Sequence, residues 1–180
     1  MSKITKVIAR QVYDSRGNPT IEAEVFANNM KARAICPSGA STGSHEAHEK
    51  RDTFNKKYLG KSVLKPVSLI NKIISKKLKN QNIHDQEKID YLLINLDGTK
   101  QKKKFGANAL LAVSMAVKKL SARIKKTPLY KTFLIKNQFM LPYPLMNVIN
   151  GGAHANNGLR IQEFMIRPDR AKSFSEAMRI

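Results

Sequence analysis

Residues 20–26 alternate without a break: Ile21, Ala23 and Val25 fall on one side of an extended chain and Glu22 and Glu24 on the other. That is the period of a half-buried strand. Before it, Asp14-Ser15-Arg16-Gly17-Asn18-Pro19 is dense in turn formers, so residues 3–12 supply the partner strand. After it, Asn28-Asn29 turns the chain into Ala32-Arg33-Ala34-Ile35-Cys36. The pattern predicts a three-stranded antiparallel meander.

The period then lengthens. Pro37-Ser38-Gly39-Ala40-Ser41-Thr42-Gly43 is a loop of small residues, and Ser44 is placed to cap a short helix running to Asp52. Pro66 suits the first turn of a helix whose apolar face is Val67, Ile70, Ile73, Ile74 and Leu78. Asp85 caps another, with Ile89, Leu92, Leu93 and Leu96 inward and Asp97-Gly98 as the stop. From Ala107 to Ile124, Leu110, Val113, Val117, Leu120 and Ile124 recur at helical spacing, and Ala109, Ala112 and Ala116 permit close packing. Pro128 opens one more short helix. Strands followed by helices give an α+β domain over residues 1–137.

The character changes again at Leu141-Pro142-Tyr143-Pro144. Two strand-like runs follow, 145–150 and 161–166, separated by Gly151-Gly152 and a polar loop, and Ser173 or Ser175 can start a helix. A second domain is expected over 138–180, begun but not finished.

At 180 residues, 42% hydrophobic and 26% charged, the composition is globular, which excludes general disorder and collagen-like repeats. The single cysteine, Cys36, excludes an internal disulfide framework. The N-terminus lacks the continuous apolar stretch of a signal peptide, and no run approaches the ~18 residues of a membrane span, so a soluble cytoplasmic protein is expected. Lys plus Arg is 33 against 13 acids, a net +20. Such a surplus favours polyanionic partners, nucleic acid first. However, the 24 lysines are dispersed and accompany abundant Ile and Asn, 16 and 14, which reads more simply as coding bias and a solvated surface.

Three segments carry candidate chemistry. The Gly39-to-Gly43 loop has hydroxyls and open backbone suited to closing over an anion or metal. It fits neither a Walker loop nor a dinucleotide fingerprint, and spacing alone favours a plain linker. His45-Glu46-Ala47-His48 has one residue too few for the zinc-protease spacing and reads as solvated helix surface. Asn150-Gly151-Gly152-Ala153-His154 with Gln162-Glu163 is stronger. The paired glycines let backbone approach a ligand, and adjacent strands can bring His, Gln and Glu together. Spacing alone leaves this level with a half-buried strand bearing a salt-bridged Glu.

Together, Asp14-Ser15-Arg16-Gly17-Asn18-Pro19-Thr20, Pro37-Ser38-Gly39-Ala40-Ser41-Thr42-Gly43, Phe105-Gly106-Ala107-Asn108-Ala109, Asn147-Val148-Ile149-Asn150-Gly151-Gly152 with His154-Ala155, and Gln162-Glu163-Phe164-Met165 resemble the enolase (phosphopyruvate hydratase) family, in its order and near its spacing. The resemblance runs from Met1 to Ile180. It implies reversible dehydration of 2-phosphoglycerate to phosphoenolpyruvate in glycolysis, by a carbon–oxygen lyase. It further implies two Mg²⁺ ions and a cytoplasmic homodimer. The implied fold is an N-terminal cap on a C-terminal α/β (TIM-like) barrel that opens with two strands in succession. By position, Ser41 would ligate the second Mg²⁺ and Ala40 would touch substrate. His154 would lie near the phosphate and leaving-group side, and Gln162 and Glu163 close to substrate, with Glu163 in the acid network around the leaving hydroxyl. Arg10 and Glu22 match intersubunit ion-pair positions.

The departures are as informative. A barrel takes ~250 residues, so cap plus barrel should reach about 390. By the resemblance, the general-base Lys, the main proton-donor Glu and the three carboxylates of the first Mg²⁺ lie beyond Ile180. Arg160 stands where many members are neutral or acidic, and the basic surplus is unlike the family's usual balance. The 180-residue chain alone is therefore expected to be catalytically incomplete. The competing readings are a non-catalytic binding or dimerisation module, a basic RNA-binding surface, and a degraded gene product.

Overall fold

The computed structural model describes residues 2–39, 43–54, 56–133 and 139–180. The chain divides into two compact units, Met1–Leu134 and Ile135–Ile180.

In the first unit, β1 (Ile4–Tyr13), β2 (Pro19–Ala27) and β3 (Met30–Ile35) form an antiparallel meander in the order β1-β2-β3. Asp14 Oδ1 accepts from the backbone N–H of Arg16 and Asn18, closing the first turn, where Gly17 adopts φ +75°. Asn28 and Asn29 take the left-handed conformation of the second turn. After a short 3₁₀ element at Lys57–Gly60, α1 (Leu64–Leu69) runs through a wider π-helical turn at Ile70–Ile74 into α2 (Ser75–Leu78). Next come α3 (Gln86–Asp97), α4 (Ala107–Ile124) and a 3₁₀ turn over Leu129–Phe133. The helix α4 lies across β2 and β3. Ala109, Ala112 and Ala116 are fully buried on it, beside Val113, Val117 and Leu120, and face a sheet side made by Ile21, Ala23 and Val25. The open edge of β1 is covered rather than exposed. Asn71 exchanges two hydrogen bonds with the Ala9 backbone (2.7 and 3.0 Å), and Ile4 pairs with Asn80 and Gln81.

Three sequence expectations are corrected. Glu22 and Glu24 lie on the face opposite Ile21, but they are buried, 4% and 7% exposed. Arg10 pairs with both, Lys31 with Glu24 and Arg33 with Glu22, so cations cover the acids in place of water. The helix expected from Ser44 to Asp52 does not form. Its backbone is taken by residues remote in sequence: the His48 N–H donates to the Gln101 carbonyl at 2.7 Å, and the Lys50 N–H to Asn108 Oδ1 at 3.1 Å. Ile73, placed on the apolar face of its helix, is instead 37% exposed.

In the second unit, β4 (Met146–Asn150) and β5 (Glu163–Ile166) pair antiparallel, with Asn150 opposite Glu163. Ser173 rather than Ser175 caps α5 (Phe174–Arg179), its Oγ accepting from the Glu176 N–H. Val148, Ile149, Phe164, Met165 and Ile166 are exposed on this hairpin, as expected of barrel strands without their neighbours. The fold is an α+β unit followed by a two-stranded antiparallel sheet, as expected of a cap and the first two strands of a barrel.

Candidate functional site

The end of β4 and the start of β5 build one polar cluster. The Gly151 N–H donates to the Gln162 carbonyl (2.9 Å) and the Gly152 N–H to the Leu159 carbonyl (2.8 Å), drawing the intervening loop back over the strand ends. Gly151 is buried, and a Cβ there would sit 2.4 Å from the Ile161 carbonyl oxygen and 2.7 Å from Leu159 Cβ. Gly152 takes φ +53° and opens the short turn Gly152–His154. That turn aims the imidazole at β5. His154 Nδ1 lies 2.9 Å from Glu163 Oε1, and Nε2 lies 2.9 Å from Gln162 Nε2. In this arrangement Nδ1–H donates to the carboxylate and Nε2 accepts from the amide. The two side chains are 26% and 29% exposed, dry enough to hold the pairing and open enough to meet a small ligand. The cluster can orient a polar ligand and relay a proton between imidazole and carboxylate. His154, Gln162 and Glu163 are thus brought together, as the strand spacing suggested.

The donor set here is one carboxylate, one amide and one imidazole, and the carboxylate is already engaged by His154. That does not fit Mg²⁺, which requires an octahedron of hard oxygens. Among the described residues no group of three or more His, Cys, Asp or Glu side chains is placed to hold a metal ion. His45 and His48, without the helix that would have aligned them, are both exposed and form no such group.

Ala40 and Ser41 lie outside the described residues. Their flanks are held firmly. The Ser38 carbonyl accepts from Arg16, and Ser38 Oγ donates to Glu49 at 3.0 Å and accepts from Arg51 at 3.1 Å. On the far side the Gly43 N–H donates to Glu46 at 2.9 Å. Segment 48–51, which carries Glu49 and Arg51, is clamped by the start of α4. Asn108, 4% exposed, bonds both the N–H and the carbonyl of Lys50, and Gly106 (φ +95°) lies where a Cβ would sit 2.4 Å from Lys50 Cβ. The residue-by-residue reading missed this supporting pair. Its signal was a glycine directly before a long amphipathic helix. Arg10 and Glu22 face each other across β1 and β2, 3.2 Å apart within the chain.

A family model described as the enolase N-terminal domain matches residues 4–133, and one described as the enolase C-terminal TIM barrel domain matches residues 138–180. Enolase from Pelagibacter ubique (strain HTCC1062) is 75% identical over all 180 residues, which cover 43% of that protein, so the chain spans less than half the length of this relative. Two domain matches in register and this identity show that the chain belongs to the enolase family.

Proposed function

We propose that this chain supplies part of the machinery for the reversible dehydration of 2-phosphoglycerate to phosphoenolpyruvate, a carbon–oxygen lyase step of glycolysis in the cytoplasm. The division into a cap of residues 1–137 and a barrel start of 138–180 belongs to the same reading. In that reaction the C2 proton goes to a base, the C3–O bond breaks, C2=C3 forms, and the hydroxyl leaves as water. Glu163 is assigned to the acid side, where His154 holds its carboxylate at 2.9 Å and the pair passes a proton to the departing hydroxyl. Gln162 orients the substrate. Ala40 is assigned a substrate contact and Ser41 a substrate contact and a Mg²⁺ contact. The base and the main Mg²⁺ carboxylates belong, by the resemblance, to sequence outside these 180 residues, and no step is assigned to the metal here. The complete enzyme is proposed to be a homodimer in which Arg10, 45% exposed, reaches the partner subunit. Glu22 joins that contact when an incoming cation displaces Arg33.

The observation that carries this reading is the glycine-built His154–Glu163–Gln162 cluster. A chimera tests it, with residues 1–180 in place of the matching 43% of the Pelagibacter relative. The chimera should turn over 2-phosphoglycerate, followed at the phosphoenolpyruvate absorbance, and lose that activity with Glu163→Gln. A folded but inactive chimera would refute the assignment. The 180-residue chain alone should show neither turnover nor tight Mg²⁺-dependent uptake of 2-phosphoglycerate by calorimetry.

A further inference from the structure

The lysines look dispersed along the sequence, but the fold gathers many of them. Residues 50–65 and 99–104 together hold nine lysines and Arg51, with Asp52 their only acid. The two segments are joined by Lys50 Nζ donating to the Lys103 carbonyl (3.1 Å), and just before the first of them the His48 N–H donates to the Gln101 carbonyl (2.7 Å). Two grooves open off the result. One, about 720 Å³, is lined by His48, Thr53, Phe54 and the charged side chains Lys50, Arg51, Asp52, Lys56 and Lys65. The other, about 470 Å³, is lined by His45, Lys100, Gln101 and Lys103.

Several of the cations here, unlike those on the sheet where Glu22 and Glu24 serve Arg10, Lys31 and Arg33, have no carboxylate beside them. Asp52 is spent on the N–H groups of Leu64 and Lys65, and Glu49 on Arg51. Lys56, Lys65, Lys100 and Lys103 join no ion pair among the described residues. Concentrated unpaired charge repels itself and is relieved by a polyanion. Apolar surface is interleaved with it. Phe54 is fully exposed, and Leu59 is 89% exposed on a turn where Tyr58, Leu59 and Gly60 all take positive φ. Gly60 packs against the Thr53 backbone, which brings that turn beside Phe54.

We infer that this pair of grooves binds single-stranded RNA, with the lysines tracking phosphates and Phe54 stacking on a base. A duplex hides its base faces from such a ring, whereas a single strand offers them. Thr53 and Gln101 supply neutral donor–acceptor groups of the kind that meet a ribose 2′-hydroxyl. This inference is independent of the lyase assignment.

The test is fluorescence anisotropy of a labelled oligo(U) with the 180-residue chain at two salt concentrations. Binding should weaken with salt by about 0.7 log units per log unit for each phosphate neutralised. The triple variant K56E/K65E/K103E should lower affinity at least tenfold. The variant K72E/K76E/K77E, with the same charge change on exposed residues of the helical segment 64–78, should stay within about twofold. Phe54→Ala should cost about fivefold or more. Circular dichroism should match wild type for all three, since the substituted side chains are exposed. The inference is overturned by absence of binding at low salt, by equal losses in the two triple variants, or by equal affinity for oligo(dT) or duplex RNA. Binding to phosphatidylserine vesicles but not to RNA also overturns it.

Discussion

Asn108 and Lys50 are joined by two reciprocal hydrogen bonds, each 3.1 Å: Asn108 Oδ1 accepts from the Lys50 N–H, and Nδ2 donates to the Lys50 carbonyl. A side chain thus does for segment 48–50 what a neighbouring strand would do. Glu49, within that segment, and Arg51, just after it, hold Ser38 at the root of the loop containing Ala40 and Ser41. Asn108→Ala leaves both backbone groups of a half-buried residue without partners. It should cost about 1–3 kcal/mol, read as a lower urea midpoint with unchanged slope. Trypsin should also cut faster at Lys50 and Arg51. A variant as stable and as resistant as wild type would show that the clamp is incidental.

Gly151 poses a different problem. Its φ of −149° is ordinary extended backbone, so any residue adopts it without strain. What it lacks is space, with the Ile161 carbonyl oxygen 2.4 Å from a would-be Cβ. Gly151→Ala should push the loop off β5, part His154 from Glu163, and abolish activity in the chimera, while leaving the cap's melting transition in place. Gly158, where a Cβ meets nothing within 4 Å, is the control. Gly158→Ala should leave activity close to wild type, and an equal loss in both variants would sink the packing argument.

What could be read from sequence followed from local periodicity. The bounds of α4 fell where Leu110, Val113, Val117 and Leu120 recur, and the meander where Ile21, Ala23 and Val25 alternate. The His154–Glu163 pairing was open from spacing alone, because it depends on how far Gly151 and Gly152 fold the loop back. Illegible features depend on partners distant in the chain. Ser44 looks like a helix start, but Gln101 and Asn108, more than 50 residues from their partners His48 and Lys50, capture that backbone. Alternation assigned Glu22 and Glu24 to the outer face, yet nothing local revealed that Arg10, Lys31 and Arg33 would close over them. The lysine surplus likewise looked diffuse until residues 50–65 and 99–104 came together.

Cys36, whose N–H donates to the Ile21 carbonyl, tests the end of β2's pairing, just before the loop containing Ala40 and Ser41. It is 4% exposed, and burial together with the nearby Glu49 charge pushes its thiol up to about 11. At neutral pH the thiolate, which is the reactive form, is scarce. Ellman's reagent should react with the native chain far more slowly than with the chain in denaturant. Because the folded value lies above the unfolded ~8.5, this group's contribution to stability is full below that pH. It declines as pH rises toward the folded value. Native reaction as fast as denatured reaction would mean that the strand end opens freely.

Asp97 is one of the carboxylates of the first unit whose folded pKa is depressed. It is 2% exposed, and burial works to raise its carboxyl, but hydrogen bonds from the Phe105 N–H (2.8 Å), from Thr99 and the nearby Lys102 charge outweigh this and hold it below the ordinary carboxylate value. A group depressed in the folded state contributes stability that is complete above its unfolded pKa of ~3.9 and is lost as pH falls through the lower folded value. Wild type should therefore lose stability steadily below about pH 4. Asp97→Asn presents an amide N–H₂ toward backbone donors and leaves one of them unpaired, so it should be about 1–3 kcal/mol less stable at pH 7. Its denaturation midpoint should then fall less steeply than wild type's below pH 4. Urea titrations at pH 7, 5, 4 and 3 separate the two curves, which should converge as the wild-type carboxylate takes up its proton. Curves that stay parallel to pH 3 would place the acid-labile group elsewhere, with Glu24, depressed first by its hydrogen bond from Lys31, the next to substitute.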